Sequence, residues 1–167
     1  TVNIILTGNE LQDIGKDLSQ GQIYESNSHT LKAGLKTVGI NQVNICKVAD
    51  QLEAVTAAIK ESLSNFDLTI VTGGISVGDF DFVLEACQQN KVEQLFHKVK
   101  QKPGKPLYFG KINNTLIFGL PGNPSALLSC FYLYISPVIK NMMGLKTENK
   151  TLLPLSNSFT KKAGLTF

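Results

Sequence analysis

Short apolar runs alternate along the chain with longer stretches in which apolar residues recur at every third or fourth position. Short continuous runs are typical of buried strands, and the recurrent spacing is typical of helices that pack by one face. The pattern predicts strands at residues 2–6, 43–48 and 68–72, and helices at about residues 26–38 and 52–63. Apolar strands separated by helices indicate a parallel sheet covered on both faces, which is an α/β fold.

The second half of the chain predicts shorter elements. A further helix is expected to begin at Asp81. Two or three short strands follow it, around residues 95–99, 107–109 and 116–118, and we expect a hairpin turn at residues 113–114 to join the last two.

A long, nearly all-apolar helix is expected from about residue 124 to residue 143. It is too apolar for an ordinary surface helix, so we expect it to lie centrally or in a subunit interface. Charged and polar residues take over near residues 145–149, which predicts a domain boundary. Residues 1–148 would form a three-layer α/β sandwich with a mostly parallel sheet, and residues 149–167 would begin a following β domain.

Composition limits the classes of partner. The chain has 167 residues, 43% of them hydrophobic, and carries a formal net charge of +3. This mild positive charge is too weak to indicate nucleic-acid binding, and it fits an anionic small molecule better. The longest apolar stretch, residues 126–139, is too short to span a bilayer, so no membrane segment is expected.

Cys46, Cys87 and Cys130 are far apart in sequence, and each lies in an apolar run, which favours buried free thiols. No cysteine or histidine spacing indicates a zinc site. An odd cysteine count without a disulfide pattern is typical of a cytoplasmic protein. The chain starts abruptly in a predicted strand, with no signal peptide, and we therefore expect a fragment of a longer protein.

Residues 72–81, Thr-Gly-Gly-Ile-Ser-Val-Gly-Asp-Phe-Asp, join a predicted strand to a predicted helix. Ligands bind at the carboxyl ends of strands in open α/β sheets, and glycine lets the backbone approach a ligand without a Cβ in the way. Ser76 adds a hydroxyl group, and Asp79 and Asp81 add carboxylates at the helix start. The segment indicates either a binding turn or an ordinary turn in which Asp81 caps the helix.

Residues 120–125, Leu-Pro-Gly-Asn-Pro-Ser, form a second strand-to-helix turn. Pro124 is expected at the first helical position, where its missing N–H costs nothing. The free amides of this helix N-terminus would suit an anion such as phosphate, and a plain helix start is the alternative.

Lys98, Lys100 and Lys102 alternate along a predicted strand, which would place them on one face. Flanking prolines stiffen the loop that holds Lys105. Three lysines on one face repel one another unless an anion lies opposite, so the pattern favours an oxyanion or phosphate site. The alternative is a solvated edge strand, because edge strands often carry lysines.

Carboxylates also follow the first two predicted strands. Glu10 stands just after the turn at Thr7-Gly8, and Asp50 ends the second strand. With Asp81, they fall at the carboxyl ends of three strands. Mg²⁺ is usually bound by one or two carboxylates together with ligand phosphates. Each residue alone is more simply a loop carboxylate, and together they favour a site for Mg²⁺ and phosphate.

Five motifs, in this order, resemble the molybdopterin molybdenumtransferase family, which includes MoeA-like enzymes, the E domain of gephyrin and its plant counterpart. They are Thr-Gly-Asn-Glu-Leu at 7–11, Gly-Gln-Ile at 21–23 with Ser26-Asn27, Thr-Gly-Gly-Ile-Ser-Val-Gly at 72–78 with Asp81, Lys-Pro-Gly-Lys-Pro at 102–106, and Gly-Leu-Pro-Gly-Asn-Pro at 119–124. The resemblance implies the molybdopterin-binding fold that this family shares with MoaB and MogA proteins.

The resemblance also implies a reaction, the insertion of molybdenum from molybdate into adenylylated molybdopterin, with Mg²⁺ and with release of AMP. By this match the catalytic residues are Asp81, Asp50, Glu10, Lys98 and Lys102. Asp81 and Glu10 would hold Mg²⁺. The residues implied in binding molybdopterin are Thr7, Gly8, Ser26, Asn27, Gly73, Gly74, Ser76, Val77, Gly78, Lys105, Pro121, Gly122, Asn123, Pro124 and Ser125.

The chain departs from the family at Asn9, where an aspartate is common, so we expect hydrogen bonding there rather than metal ligation. The family's enzymes also have domains before and after this one, and those domains complete the active site, partly from a second subunit. We therefore expect this chain to bind substrate and to insert little or no molybdenum. A homo-oligomer is expected, dimeric as in the family or trimeric as in the related adenylyltransferases, and a molybdopterin adenylyltransferase is a candidate partner.

Three other readings stay open. A molybdopterin adenylyltransferase shares the fold and both glycine turns, but residues 76–78 and 102–105 resemble the molybdenumtransferase. A competence-damage-type nucleotide pyrophosphatase shares the fold more distantly. A scaffold domain would keep the pterin pocket and act by binding partners, and the retained carboxylates and lysines favour an enzyme over it.

Overall fold

The computed structural model describes residues 1–75 and 82–145, with isolated positions between residues 153 and 164. The strands are β1 (Val2–Thr7), β2 (Leu11–Gln12), β3 (Ile23–Tyr24), β4 (Val43–Val48), β5 (Leu68–Thr72), β6 (Glu93–His97), β7 (Tyr108–Ile112) and β8 (Thr115–Leu120). The helical elements are α1 (Asn27–Thr37), α2 (Leu52–Asn65), α3 (Phe82–Gln89), α4 (Pro124–Cys130), a π-helical turn (Phe131–Ile135) and α5 (Ser136–Met142).

Six strands form the central sheet in the order β4-β1-β5-β8-β7-β6. The first four in this order are mutually parallel, so their carboxyl ends meet at one edge of the sheet. We call this edge the carboxyl edge. Strand β7 runs antiparallel to β8 and to β6, so the end of β6 and the start of β7 also lie there. The predicted hairpin turn is confirmed, and Asn113 adopts a φ of 51° within it.

Helices cover both faces of the sheet, which confirms the predicted three-layer α/β sandwich. On one face, α1, α4, the π turn and α5 pack on Ile4, Ile70 and Phe118. On the other face, α2 and α3 pack on the alternate residues of the same strands, which include Ile5 and Val71. Central strands that are buried on both faces have no polar side to show, which is why they read as continuous apolar runs.

The long apolar helix is confirmed: α4, the π turn and α5 follow one another without a break from Pro124 to Met142. The helix does not lie at the centre of the domain. It lies on one face of the sheet and buries Phe131, Ile135 and Ile139. Its outer side keeps Tyr132 half exposed and Leu133 60% exposed. Gly34 of α1 makes this packing possible, because a Cβ at that position would lie 2.7 Å from the Phe131 ring.

A buried polar network lies beneath α2. The Asn3 amide donates to Ser62 Oγ at 2.8 Å, and Ser62 Oγ and Thr69 Oγ1 are 2.6 Å apart. Asn44 donates to Asn3 Oδ1 at 2.8 Å. Each buried group in this network has a partner, so the network orients α2 without the cost of an unpaired polar atom.

The three cysteines are free, and the prediction of buried thiols is confirmed for Cys87 and Cys130, while Cys46 is half-buried. Burial raises the pKa of the Cys87 thiol to about 12 and that of Cys130 to about 11. Among the described residues, no helix is both long and apolar enough to cross a membrane. The predicted β domain at residues 149–167 lies almost wholly outside the described residues and stays a prediction.

Candidate functional site

A cavity of about 340 Å³ opens at the carboxyl edge, between the ends of β1 and β5 and the first residues of α1 and α4. We call it the edge pocket. Its lining residues come from four separate segments of the chain, and they are Thr7, Glu10, Leu11, Ile23, Tyr24, Glu25, Ser26, Asn27, Thr72, Gly73, Gly122, Asn123 and Pro124. The pocket therefore lies where open α/β sheets commonly bind ligands.

Gly73 holds three strand ends together beneath the pocket. Its φ is 87°, and a Cβ at this position would lie 2.4 Å from the Thr7 carbonyl oxygen. The Gly73 N–H donates to the Leu120 carbonyl at 3.3 Å. The sequence indicated glycine because of an approaching ligand, whereas the structure gives a second reason, the close approach of the backbone of β1.

Polar groups beside the pocket are arranged by hydrogen bonds between neighbouring strand ends. Thr7 Oγ1 donates to Asp50 Oδ1 at 2.7 Å, and the Asp50 N–H donates to Asn9 Oδ1 at 3.2 Å. Asn9 thus keeps the hydrogen-bonding role expected for it. Glu10 lines the pocket, and its carboxylate makes no hydrogen bond or ion pair with the part of the chain that the structure describes.

Helix α1 begins at the pocket with a cap that the sequence did not predict. Ser26 is the N-cap residue, but its side chain makes no capping hydrogen bond. The buried carboxylate of Glu25 accepts from the Ser28 N–H at 2.8 Å and from the Ser28 hydroxyl at 2.5 Å. The Asn27 amide donates to the Gly122 carbonyl at 2.9 Å and so joins the start of α1 to the turn before α4.

Helix α4 begins with Pro124 in its first turn, as predicted, but its amides are not all free. Asn123 Oδ1 accepts from the N–H groups of Ser125 at 3.0 Å and of Ala126 at 3.2 Å. The prediction of an anion site made of free helix amides is therefore wrong for these two groups. An anion at this turn would have to displace the Asn123 side chain or use other donors.

The prediction that strand alternation places Lys98, Lys100 and Lys102 on one face is also wrong. Strand β6 ends at His97, and Lys98 adopts a φ of 67°, which interrupts any alternation. The Lys98 N–H donates to Leu107 O at 2.8 Å, so these lysines lie in a loop that returns to β7.

This loop, residues 98–106, is fastened to the long helix. Tyr134 Oη donates to Gln101 Oε1 at 2.7 Å, and Gln101 Nε2 donates to Pro103 O at 2.7 Å. Its four lysines are exposed and, within residues 1–75 and 82–145, make no hydrogen bond or ion pair through their side chains. They lie at the carboxyl edge but do not line the edge pocket. They are Lys98, Lys100, Lys102 and Lys105.

The edge pocket brings together predicted binding residues that are far apart in sequence. These are Thr7, Ser26, Asn27, Gly73, Gly122, Asn123 and Pro124, together with the predicted catalytic residue Glu10. Asp50 is absent from the lining and reaches the pocket through its bond with Thr7. The predictions at Ser76, Val77, Gly78 and Asp81 lie outside the described residues.

The sequence reasoning missed the lining contributed by Leu11, Ile23 and Tyr24. These residues form a small parallel sheet of β2 and β3, in which Leu11 pairs with Ile23. The signals in the sequence are the motifs at 7–11 and 21–23, which contain Leu11 and Ile23, and the apolar pair Ile23-Tyr24 within a polar stretch. Two-residue strands carry too little periodicity to be read from such a pair.

The predicted Mg²⁺ site at Glu10 and Asp81 is not tested by these contacts. The described residues contain no group of three or more His, Cys, Asp or Glu side chains placed to hold a metal ion. A single free carboxylate at a pocket is nevertheless compatible with Mg²⁺, which commonly keeps several waters and uses ligand phosphates.

Known proteins share this architecture. The sequence family described as "probable molybdopterin binding domain" matches residues 3–141. A molybdopterin molybdenumtransferase from Staphylococcus epidermidis is 42% identical over 147 residues, covering 87% of this chain and 35% of that protein. The one from Bacillus subtilis is 37% identical over 142 residues, covering 85% of this chain and 33% of that protein. The chain spans about a third of the length of these curated relatives.

Solved structures agree. The molybdopterin biosynthesis MoeA protein from Pyrococcus horikoshii superimposes with a TM-score of 0.74 at 29% identity, covering 86% of this chain and 35% of that one. The molybdopterin biosynthesis Mog protein from Mycobacterium ulcerans superimposes with a TM-score of 0.61 at 19% identity, covering 86% of this chain and 97% of that one. At 19% identity, the similarity to the Mog protein shows only that the two proteins share a fold.

The fold and the edge pocket define a three-layer α/β ligand-binding domain with its site at the carboxyl ends of parallel strands. Within that class, the chain belongs to the family of molybdopterin-binding domains. The resemblance to the molybdopterin molybdenumtransferases is confirmed by the relatives that carry this name. This places the chain in molybdenum cofactor biosynthesis.

Proposed function

We propose that this chain supplies the molybdopterin-binding part of an enzyme that inserts molybdenum from molybdate into adenylylated molybdopterin and releases AMP. The observation that carries the proposal is the edge pocket, where pieces of four of the five resembling motifs meet, with Thr7, Asn27, Gly73 and Gly122 among its lining residues. Curated relatives that bear the name molybdopterin molybdenumtransferase support the choice of this reaction.

The edge pocket suits one part of such a substrate. Its volume of about 340 Å³ is within the usual range for small-molecule sites. The Thr7 hydroxyl oxygen and the Gly122 carbonyl oxygen keep a lone pair beside their existing hydrogen bonds and could accept from a polar ring. In this proposal the pterin and its phosphates lie along the carboxyl edge, which is wide enough to include the lysine loop.

The four exposed lysines of residues 98–106 supply the positive charge that molybdate and phosphate need. Because these side chains make no hydrogen bond or ion pair with the described residues, their ammonium groups are available to an anionic ligand. We propose that Lys98 and Lys102 contact the oxyanions during the reaction and that Lys105 helps to hold the substrate. Exposed lysines act mainly as point charges, so this contribution weakens as salt concentration rises.

The donor chemistry at Glu10 fits Mg²⁺, because its carboxylate lines the pocket and is free of protein partners within the described ranges. We propose that Glu10 and Asp81 hold the ion, with Asp50 orienting Thr7 beside it. When bound, Mg²⁺ would supply charge neutralisation and polarisation at the phosphoanhydride. Asp50 orients the Thr7 hydroxyl by the hydrogen bond of 2.7 Å.

The chain corresponds to about a third of its curated relatives, and we propose that turnover requires the remaining two thirds. We also propose that residues 149–167 begin a further β domain and that the protein works as a homo-oligomer. The apolar outer side of the long helix, at Tyr132 and Leu133, is one surface available for such an association.

Calorimetry tests the binding part of the proposal. AMP should bind to the 167-residue chain in a Mg²⁺-dependent manner, and Asp81→Ala should abolish that dependence while the circular dichroism spectrum stays unchanged. Glu61→Ala, an exposed change on α2, serves as the matched control and should bind like the parent chain. Unchanged Mg²⁺-dependent binding in Asp81→Ala would reduce Asp81 to a helix cap.

Turnover assays test the reaction. With adenylylated molybdopterin, molybdate and Mg²⁺, we expect this chain alone to release little or no AMP and a full-length protein carrying it to release AMP in step with molybdenum insertion. Formation of adenylylated molybdopterin from ATP and molybdopterin would instead identify an adenylyltransferase. Full insertion activity in the 167-residue chain would refute the need for other segments.

A further inference from the structure

The segment between β1 and α1 covers one side of the edge pocket and is held to the rest of the protein at few points. We call residues 9–24 the lid. It contributes Glu10, Leu11, Ile23 and Tyr24 to the pocket wall. Its only regular structure is the pairing of β2 with β3, two residues each.

Burial does little to hold the lid in place. Ile14 is 62% exposed, Leu18 43% and Ile23 54%, and most of the remaining lid residues are exposed as well. A segment with few buried apolar contacts opens locally at a low free-energy cost. Leu11 packs against the hydrophobic core, and beyond this one apolar contact the polar contacts to the body of the protein decide how firmly the lid is closed.

Within the described residues, those side-chain contacts converge on the end of β4. Lys47 Nζ donates to the Leu11 carbonyl at 2.6 Å and forms an ion pair with Asp13 Oδ1 at 3.7 Å. The other contact is the hydrogen bond from the Asp50 N–H to Asn9. Asp13 is also paired with Lys16 inside the lid, at 2.9 Å.

We propose that Lys47 is a positioning residue that latches the lid over the edge pocket and, through the Leu11 carbonyl, fixes the backbone that presents Glu10 to the ligand. Lys47 is well placed for this because β4 is an edge strand of the sheet that the described residues form. Its partner in β1 is Leu6, one residue before the strand end from which the lid departs.

The simplest competing interpretation is an ordinary surface lysine. Exposed ion pairs contribute about 0–1 kcal/mol to the stability of a whole domain, which is small against the total. A contribution that is small for the whole domain still matters for a lid whose own opening costs little, and we expect its loss to raise the open population roughly fivefold. Loss of the Lys47 contacts should therefore change the rate of lid opening measurably while leaving the melting temperature of the domain nearly unchanged.

Limited trypsin digestion without ligand tests the latch directly, since Lys16 is an exposed cleavage site inside the lid. Lys47→Met should raise the rate of cleavage after Lys16 about fivefold, with the melting temperature nearly unchanged. Lys47→Arg should restore slow cleavage, because arginine can donate to the same carbonyl and pair with Asp13. Lys60→Met, which removes an exposed lysine on α2, is the matched control.

Equal cleavage rates in Lys47→Met and Lys60→Met would overturn the proposal, as would a failure of Lys47→Arg to slow the cleavage. Raising the salt concentration should speed cleavage in the parent chain more than in Lys47→Met, because the ion pair with Asp13 is exposed to solvent. The reverse order would contradict the assignment of Lys47.

A ligand experiment connects the latch to the pocket, and it rests on the proposed function. In stopped-flow measurements with AMP and Mg²⁺, Lys47→Met should speed AMP dissociation about fivefold and Lys47→Arg should not. If AMP binds the parent chain but dissociates equally fast from Lys47→Met, the positioning role is wrong. If AMP does not bind the parent chain at all, the nucleotide part of the proposed function fails, while the digestion experiment still decides the latch.

Discussion

The carboxyl edge of the sheet has two halves of different chemistry. One half, at the ends of β4, β1 and β5, carries the carboxylates Glu10 and Asp50 and the hydroxyl of Thr7. The other half, at β8, β7 and β6, carries the lysine loop of residues 98–106. We call them the acidic half and the basic half. The two halves share one edge of the sheet because β4, β1, β5, β8 and β6 all end there.

The halves also differ in how their charged groups are held. Asp50 is fixed by hydrogen bonds from Thr7 and to Asn9, whereas the lysines extend into solvent from a loop whose backbone is fastened through Gln101. The hydrogen bonds at Asp50 fix Thr7 beside the pocket, whereas Glu10 and the four lysines have no protein partner within the described residues and are free to bind a ligand. The following predictions test this division, from the largest expected effect to the smallest.

Gly73 lies between the halves, and Gly73→Ala should destabilise the packing of the strand ends that form the carboxyl edge. The new Cβ would lie 2.4 Å from the Thr7 carbonyl oxygen at a φ of 87°, so we expect a loss of about 3 kcal/mol from steric overlap and backbone strain together. Urea denaturation measures it. Gly122→Ala is the control, because its Cβ would meet nothing closer than 3.9 Å. Equal stability of the two variants would contradict the close approach.

Alkaline pH should lower the free energy of unfolding of the whole domain. This limits the pH range in which ligand binding at the two halves can be compared. The folded pKa of Cys87 is raised from 9.0 to about 12 by burial, and that of Cys130 from 9.0 to about 11. Above pH 9 the unfolded chain loses protons that the folded chain keeps, so stability falls with rising pH, by up to about 1.4 kcal/mol per pH unit for each thiol.

Urea titrations at several pH values check this expectation, and Cys87→Ser should flatten the fall above pH 9. Stability that stayed constant from pH 8 to the folded pKa of these thiols would show that they are not buried. Binding comparisons between the halves should therefore be made below pH 9.

Lys98→Ala combined with Lys102→Ala should neutralise much of the basic half. We expect about tenfold weaker binding of molybdate at low salt, and the difference should shrink as salt screens the charges. Isothermal titration calorimetry measures both affinities. Lys32→Ala combined with Lys60→Ala removes the same charge from exposed positions on α1 and α2 and should leave the affinity nearly unchanged. A loss of similar size in that control would mean that only net charge matters.

Glu10→Gln should alter only the acidic half. It keeps the size of the side chain and removes its charge, so we expect Mg²⁺ to strengthen AMP binding about fivefold less than in the parent chain, with AMP affinity in the absence of Mg²⁺ unchanged or slightly higher. Titration of AMP with and without Mg²⁺ measures the difference. Glu53→Gln, near the start of α2, is the control. An unaltered Mg²⁺ effect would remove Glu10 from the metal site.

Asn123→Ala should have the smallest effect. It removes the cap that accepts from the Ser125 and Ala126 N–H groups and should cost about 1 kcal/mol, which corresponds to a few degrees in the melting temperature. Because it also frees two amides in the basic half, anion binding there should be maintained or improved. A fall in anion affinity would show that Asn123 itself contacts the ligand.

The strands and helices of the fold were predictable because their burial is uniform. Strands β1 and β5 are buried along their whole length, and α2 buries Val55 and Ile59 at helical spacing. The capping of α1 by Glu25 was not predictable in the same way, because the residue that bonds a helix amide depends on how the chain enters the helix. The prediction that the lysines of residues 98–102 share one strand face was wrong for a related reason. Lys98 has a positive φ, and this single residue ends the strand alternation.

By itself, the sequence determined the α/β class, the order of the longer strands and helices, and the family, because apolar periodicity and glycine turns are local features of the chain. It also indicated most of the edge-pocket residues, through motifs that lie at strand ends. Only the tertiary structure decided that Thr7 and Asp50 are bonded, that Asn123 occupies the amides of α4, and that Lys47 reaches the lid. Each of these contacts forms because the folded backbone brings the two groups together at a turn or a strand end. The direction of a side chain at such a place depends on the path of the backbone and not on its neighbours in sequence.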